Sequence, residues 1–196
     1  MSDFVHFLKA SLRNPTHIGA LAPSSPALAR AMVHDLHPAS GELVLELGPG
    51  TGAFTHFLQH HLPNKEAYVG IERDAHFVSI LRNRFPGLHF VHGDAGEAHQ
   101  IVQEHGQGEL RYILSGLPFA ILPTVVRDAI LASLHQLMVN GCTFRTFQYV
   151  HAAKIPQAIA FREIMTARYG TPERSPLVVR NLPPAYTYTW RSIHAD

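Results

Sequence analysis

The sequence predicts an α/β fold in which a mostly parallel β-sheet carries helices on both faces. The first observation is that an apolar run at 43–45, a glycine-rich turn and a helical pattern at 51–61 follow one another, as they do in nucleotide-binding folds. The second is that short apolar runs alternate with helical patterns along most of the chain. The third is that 196 residues, of which 46% are hydrophobic and 16% charged, suffice for one domain with its own core.

The predicted elements follow from apolar runs and from residues that start or stop helices. Ser24 or Ser25 before Pro26 is a typical helix start, Asp74 is a helix-capping residue, and Gly141 ends the helix before it. We expect helices at 27–36, 51–61, 74–84, 123–139 and 155–169, and strands at 43–46, 66–71, 88–91, 111–114, 142–150 and near Trp190.

The first 36 residues are predicted to be a unit apart from the sheet, which occupies 37–196. A helix at 2–13 would carry aromatic residues on one face and cations on the other. Such a helix can lie on an anionic membrane surface or pack on the body of the protein, and both alternatives stay open. The residues assigned to this pattern are Phe4, Phe7, Lys9 and Arg13.

The composition favours some classes of protein over others. The net charge is +1, whereas a dedicated nucleic-acid-binding domain is usually more basic. A single cysteine, Cys142, fits a reducing compartment, and no run approaches the roughly 20 apolar residues of a membrane-spanning helix. Because the first residues also lack the pattern of a secretion signal, we expect a cytoplasmic protein. The 15 histidines show no metal-ligand spacing, so we expect no metal.

The turn at 46–55, Glu-Leu-Gly-Pro-Gly-Thr-Gly-Ala-Phe-Thr, carries the strongest ligand-binding pattern. Glycines here permit positive φ and let the backbone approach a ligand closely. Gly48-x-Gly50-x-x-Ala53 also satisfies the dinucleotide fingerprint. Glu46 favours S-adenosylmethionine instead, because a carboxylate before the turn suits a cationic ligand and would repel a pyrophosphate. The residues of this turn assigned to the cofactor are Glu46, Gly48, Gly50, Thr51 and Gly52.

This turn resembles the first motif of class I methyltransferases. The resemblance is greatest to the branch that holds the ribosomal RNA adenine dimethyltransferases and the soluble bacterial phospholipid N-methyltransferases. It implies a Rossmann-like sheet of seven strands, mostly parallel, with an antiparallel last strand. It also implies S-adenosylmethionine as the cofactor and S-adenosylhomocysteine as the product.

Acidic residues follow the second and third predicted strands. Glu72 lies about twenty residues beyond the glycines, where a carboxylate typically receives a ribose diol, and Arg73 is beside it at the cofactor site. The resemblance assigns the adenine amine to Asp94, with Ala95 next to it. Either acid can instead be structural, Glu72 as a solvated charge at a strand end and Asp94 as the cap of the next helix.

The segment 115–119, Ser-Gly-Leu-Pro-Phe, follows the fourth predicted strand. In the amino-methylating enzymes that it resembles, an oxygen of this segment accepts a hydrogen bond from the target nitrogen and the aromatic ring packs beside the amine. Gly116 stands where the adenine dimethyltransferases have Asn, which counts against adenine, while Ser-Gly-Leu-Pro-aromatic is the form found in phospholipid N-methyltransferases. Tyr149 is a further candidate to face the amine, although core packing explains it equally well. The catalytic candidates are Ser115, Gly116, Leu117, Pro118, Phe119 and Tyr149, and Ser115 is also assigned to the cofactor.

Two more stretches resemble the phospholipid N-methyltransferases. Gly-Ala-Leu-Ala-Pro-Ser-Ser at 19–25 assigns Ser24 and Ser25 to the cofactor site, which this stretch helps to close, although Ser24 can also be a plain helix cap. Asn-Leu-Pro-Pro-Ala at 181–185 matches their C-terminal signature. Arg180 before it is a candidate to meet the lipid phosphate, or else an ordinary surface arginine.

These resemblances imply an enzyme that methylates phosphatidylethanolamine, in up to three transfers, toward phosphatidylcholine. We expect a monomer without a nucleic-acid partner, docked on the anionic surface of the inner membrane through the helix at 2–13. The alternatives are an RNA adenine N6-dimethyltransferase, a methyltransferase for another amino-lipid such as an ornithine lipid, and a non-catalytic module that keeps the fold.

Overall fold

The computed structural model describes residues 24–139 and 141–192. Their strands form one mixed β-sheet of seven. The strands are β1 Glu42–Leu47, β2 Tyr68–Glu72, β3 His89–His92, β4 Glu109–Ser115, β5 Thr143–Tyr149, β6 Glu173–Arg174 and β7 Ala185–Arg191. They lie in the order β3-β2-β1-β4-β5-β7-β6. Neighbours from β3 through β5 are parallel, and β7 is antiparallel to β5 and to β6. The predicted sheet with its antiparallel last strand is confirmed.

Helices cover both faces of this sheet because the strands are apolar on both sides. Val44 of β1 packs in one hydrophobic cluster with Met32, whereas its neighbour Leu45 packs in the other with Leu134. The helices are Pro26–Val33, Thr55–Leu58, Ala75–Arg84, Ala98–His105, Thr124–Leu137 and Pro156–Tyr169. Most predicted elements begin and end within about three residues of these bounds.

The helix predicted at 51–61 is the exception, because regular helix covers only Thr55–Leu58. Gly50 and Gly52 have φ values of 57° and 80°, so the backbone turns through 50–54 before the helix begins. A Cβ on Gly52 would lie 2.4 Å from Cε2 of Phe85, so packing excludes a side chain there. The glycine turn is therefore a loop at the end of β1 rather than the first turn of a helix.

A buried arginine joins the helix Pro26–Val33 to the sheet. Arg145 on β5 is 5% exposed, and its guanidinium donates to two backbone carbonyls at the end of that helix. It also donates to Oδ1 of Asp35 at 2.9 Å and to Oγ1 of Thr189 on β7 at 2.8 Å. A buried cation needs such a set of acceptors, and here they fix the helix on the sheet.

The helix predicted at 2–13 lies outside the described residues, as does the stretch 14–23. The predicted division of the chain at residue 36 stays a prediction. Between residues 24 and 192, with position 140 left out, no helix is long and apolar enough to span a bilayer. The assigned residues of the undescribed segment are Phe4, Phe7, Lys9 and Arg13.

Candidate active site

A cavity opens at the carboxyl edge of the parallel strands, the edge where α/β sheets bind ligands. It holds about 1140 Å³ of empty space, including its open mouth. The ends of β1 to β5 all contribute to its wall. The predicted site residues that line it are Ser24, Gly48, Gly50, Thr51, Glu72, Arg73, Asp94, Ala95, Gly116, Leu117, Pro118 and Tyr149.

The turns after β1 and β4 are in close contact at two glycines, one in each turn. Gly48 has a φ of 69°, and a Cβ there would lie 2.7 Å from Cδ2 of Leu117. A Cβ on Gly116 would lie 2.7 Å from the carbonyl oxygen of Gly48, a backbone atom with little freedom to move. Side chains are therefore excluded where the two turns meet. Gly52, also assigned to the cofactor, packs against the core and does not line the cavity.

Glu72, at the end of β2, accepts a hydrogen bond from the glycine turn and holds that turn in place. Its Oε2 accepts from the amide of Gly50 at 3.0 Å, and its Oε1 accepts from the amide of Asp74 at 2.8 Å. Burial raises the pKa of Glu72, and the amides that donate to it counteract part of the rise. The side chain lines the cavity although it is only 7% exposed. Its assignment to a ribose diol stays a prediction, and the structure adds a role in holding the turn.

Glu46 lies beneath the cavity wall and not in it. Because β1 continues to Leu47, Glu46 is an interior strand residue on the same face as Val44. Its Oε2 accepts from Oγ1 of Thr55 at 2.8 Å and from the hydroxyl of Tyr68 at 2.7 Å. Burial raises its pKa from 4.5 to about 7, although both hydrogen bonds lower it. The assignment of Glu46 to the cofactor stays a prediction, and the structure adds that Glu46 ties β1 to β2 and to the helix after the turn.

Asp94 and Arg73 form a charged part of the cavity wall. Oδ1 of Asp94 accepts from the amide of Gly96 at 2.8 Å and caps the short 3₁₀ helix Ala95–Glu97. Its Oδ2 lies 3.6 Å from Nε of Arg73, and both side chains are 42% exposed. The capping role and the position at the ligand site, which the sequence leaves as alternatives, are thus compatible in one residue. Contact with an adenine amine stays a prediction.

The segment 115–119 is divided between the cavity and the core. Gly116 and the two residues after it line the cavity. Ser115 is fully buried, and its Oγ accepts from the amide of Leu117 at 3.2 Å. Phe119 is 1% exposed and stacks on Phe161 with ring centroids 4.1 Å apart. That Phe119 packs beside the amine and that Ser115 contacts the cofactor stay predictions. In the structure both side chains hold the segment in place from the core side.

The aromatic rings in the cavity wall come from β5, from the glycine turn and, at Phe77, from the helix Ala75–Arg84. Tyr149 and Phe147 are two residues apart, so they share one face of the strand, and their centroids are 5.3 Å apart. Phe54 meets Phe147 edge to face at 5.8 Å. Burial raises the pKa of Tyr149, so its hydroxyl is neutral at pH 7. These rings line the cavity, whereas Phe119 does not.

Three predicted residues near the ends of the chain have different surroundings. Ser24 lines the cavity, whereas Ser25 caps the next helix by accepting from the amide of Leu28 at 3.2 Å. The amide of Ser25 donates to Oδ1 of Asn181 at 2.9 Å, which ties this helix start to the loop before β7. Arg180 is exposed on that loop and does not line the cavity. Its contact with a lipid phosphate stays a prediction.

Sequence reasoning missed the apolar part of the wall. Periodicity marks these residues as core, and only the packing of helices on the sheet leaves them open to a cavity. Among the residues that the structure describes, no cluster of three or more His, Cys, Asp or Glu side chains could hold a metal ion. The missed wall residues include Phe54, Ile71, Phe77, Leu122, Val126, Ile130 and Phe147.

The wall suits a nucleoside that carries a cationic group, because it is largely apolar and includes the carboxyls of Glu72 and Asp94. A family model described as a methyltransferase domain matches residues 44–141, which is half of the chain. The chain belongs to the class I methyltransferases. S-adenosylmethionine is the cofactor of this methyltransferase and supplies an electrophilic methyl group when bound.

Individual relatives of the methyltransferase fall into two groups. An ornithine lipid N-methyltransferase of Singulisphaera acidiphila is 29% identical over 196 residues, which are 98% of each chain. A ribosomal RNA small subunit methyltransferase A of Thiobacillus denitrificans is 34% identical over 98 residues, 45% of this chain and 35% of that protein. Among solved structures, a SAM-dependent methyltransferase from Anabaena variabilis has a TM-score of 0.62 at 14% identity, covering 98% of this chain and 94% of its own. The last comparison supports the fold alone.

Proposed function

We propose that the methyltransferase N-methylates the primary amine of a membrane amino-lipid. The sequence motifs favour phosphatidylethanolamine as the headgroup, converted in up to three transfers toward phosphatidylcholine. The full-length relative named for ornithine lipid supports amino-lipids as the substrate class and adds that headgroup as a direct competitor. The match over 98% of both chains is the observation that carries the proposal.

An RNA adenine substrate is less well supported. The ribosomal RNA methyltransferase matches this chain over only 35% of its own length. Gly116 stands where the adenine dimethyltransferases have Asn. A Cβ added at Gly116 would collide with the carbonyl of Gly48. A side-chain acceptor for the flat adenine amine therefore cannot be added at this position without moving a backbone turn. An amine at this site would instead be oriented by backbone carbonyls of the turn.

The cavity also favours the reactive form of an alkyl amine. A primary ammonium with a pKa near 10 is only about a thousandth neutral at pH 7, and only the neutral amine is a nucleophile. Leu117, Phe147 and Tyr149 give the wall an apolar surface, which disfavours the charged form and lowers the pKa of a bound ammonium. Tyr149 stays protonated under these conditions, so its ring and neutral hydroxyl position the headgroup without taking the proton.

We further propose that the enzyme works as a peripheral membrane protein. An amino-lipid headgroup is reached only at a bilayer surface. The amphipathic pattern at 2–13 supports docking through Phe4 and Phe7, with Lys9 and Arg13 near anionic headgroups. Replacing Phe4 and Phe7 with Asp should then reduce vesicle binding of the full chain, and unchanged binding would remove this segment from the proposal.

The decisive experiment measures methyl transfer from labelled S-adenosylmethionine. Vesicles of phosphatidylethanolamine, vesicles of ornithine lipid and unmethylated ribosomal RNA would be offered in parallel, and the lipid products resolved by the number of methyl groups. Label in an amino-lipid supports the proposal and identifies the headgroup. Label in RNA alone would overturn the substrate class. Glu72→Gln is the variant weakened at the cofactor site and should transfer methyl groups more slowly at a limiting cofactor concentration, and Glu104→Gln, on a helix away from the cavity wall, is its control.

A further inference from the structure

Two loops at the carboxyl edge of the sheet expose large apolar side chains. One follows β5, and the other joins β6 to β7. Leu182 is 86% exposed and Val179 is 67% exposed, which is far more than is usual for large apolar residues. We call the exposed side chains of these loops the rim surface. It consists of Val150, Leu177, Val179 and Leu182 with the exposed cations Lys154 and Arg180.

The rim surface carries positive charge that its own segments do not compensate. Lys154 lies in the loop after β5, and Arg180 stands between two of the apolar side chains. The two loops, 150–155 and 175–184, contain no aspartate or glutamate, although the whole chain has a net charge of only +1. Apolar side chains flanked by cations are complementary to a surface that is anionic outside and apolar beneath.

The rim surface also adjoins the mouth of the cavity. Val150 directly follows the cavity residue Tyr149, and its amide donates to the carbonyl of Pro184 at 2.9 Å, which joins the two loops. Asn181 is 3% exposed, and its Oδ1 accepts from the amide of Ser25 at 2.9 Å. Ser25 directly follows Ser24, which is another residue of the cavity wall. Whatever covers the rim surface therefore lies directly beside the cavity.

We propose that the rim surface docks on an anionic phospholipid bilayer. Val179 and Leu182 enter the boundary between headgroups and acyl chains, while Arg180 and Lys154 meet lipid phosphates. This proposal rests on the proposed function, and it adds the surface that delivers an amino-lipid headgroup to the cavity. It also gives Arg180 a role at the membrane instead of inside the cavity.

The first test is co-sedimentation of the full chain with vesicles of phosphatidylethanolamine and phosphatidylglycerol. The double variant Val179→Asp, Leu182→Asp should bind about tenfold or more weakly, since two large apolar groups no longer leave water. Val139→Asp is the matched control, because Val139 is 54% exposed and precedes β5 at the opposite edge of the sheet. Equal binding of the double variant and the control overturns the proposal and leaves vesicle binding to another part of the chain, such as 2–13.

The second test does not depend on a loss of binding. Trp190 is the one tryptophan of the chain and is 1% exposed, so a new exposed tryptophan dominates any change in fluorescence. Leu182→Trp should be quenched by vesicles with brominated acyl chains, and Val139→Trp should not. Absence of quenching at Leu182→Trp overturns the proposal, as does a blue shift that depends only on protein concentration, which would mean that a second copy covers the surface.

A methyl-transfer assay separates this proposal from the proposed function. When amino-lipids are dispersed in detergent, bilayer docking is not needed, so the Val179, Leu182 double variant should transfer methyl groups at the rate of the unmodified enzyme. A matching loss of rate in detergent would assign these side chains to the site itself and overturn the docking role. If the unmodified enzyme methylates no amino-lipid while Leu182→Trp is still quenched by vesicles, the proposed function fails and the docking surface stands.

Discussion

We expect Glu46 to make the protein less stable as the pH rises from 5 to 8. The carboxyl is fully buried, and burial raises its pKa from 4.5 to about 7 despite the hydrogen bonds from Tyr68 and Thr55. Below pH 4.5 the group is protonated in the folded and the unfolded chain alike. Above that pH the unfolded chain ionises first, so the free energy of unfolding falls as the pH rises. The fall ends when the folded group also ionises, near pH 7.

The magnitude follows from the two pKa values. With the unfolded group at 4.5 and the folded group at about 7, linkage gives a loss of roughly 2–3 kcal/mol in the free energy of unfolding between pH 5 and pH 8. That is a large part of the stability of an ordinary domain. Glu46→Gln does not ionise, so this part of the pH dependence should vanish in the variant.

The assay is urea denaturation of the unmodified protein and of Glu46→Gln at both pH values. The variant also alters hydrogen bonds to Thr55 and Tyr68, but that effect does not depend on pH in this range and cancels when the two pH values are compared. Glu163→Gln is the control, because Glu163 is exposed on the helix Pro156–Tyr169 and its replacement should leave the pH dependence unchanged. If the unmodified protein and Glu46→Gln lose the same free energy between pH 5 and pH 8, the reasoning is refuted.

Three further substitutions test contacts around the cavity. Gly116→Ala should lower the free energy of unfolding by about 1–3 kcal/mol and reduce methyl transfer, because its Cβ would meet the carbonyl of Gly48 at 2.7 Å; an unchanged rate and denaturation midpoint would contradict this close approach. Glu72→Gln should weaken S-adenosylmethionine binding about tenfold in calorimetry, because an amide cannot accept equally from both backbone donors; equal affinity would remove the carboxylate from the site. Asn181→Ala should cost about 1–3 kcal/mol in chemical denaturation by leaving the amide at the helix start without its acceptor; Asn181→Asp should not recover this loss, because a buried carboxylate oxygen would face the carbonyl of Pro183, to which Nδ2 of Asn181 donates at 2.7 Å.

The position of the cavity was predictable from local sequence. Gly48, Glu72, Asp94 and Gly116 each come within three residues of the end of a predicted strand, and parallel strands end at one edge of a sheet. Strand order and spacing therefore bring them together without any knowledge of side-chain packing. The family motifs at these positions then point to the cofactor, and the family match agrees with them.

The direction of individual side chains was less predictable. Phe119 follows β4 and Phe147 belongs to β5, and nothing in either local sequence says which ring faces the cavity. The helix Pro156–Tyr169 decides it, because Phe161 offers Phe119 a stacking partner in the core. Both faces of β1 are covered by helices, so alternation alone does not tell what Glu46 contacts. Its partners, Thr55 and Tyr68, come from the helix after the turn and from β2.

The sequence alone determines the order of the elements, the family and the edge of the sheet at which the ligand binds, because these depend on short patterns that repeat along the chain. Tertiary structure decides which carboxylate is buried, which aromatic rings line the cavity and which loops stay exposed at its mouth. Those features depend on contacts between residues far apart in sequence, such as Asn181 with the helix start at Ser25. Such contacts bury Asn181 and leave its neighbour Leu182 exposed, which local sequence does not predict.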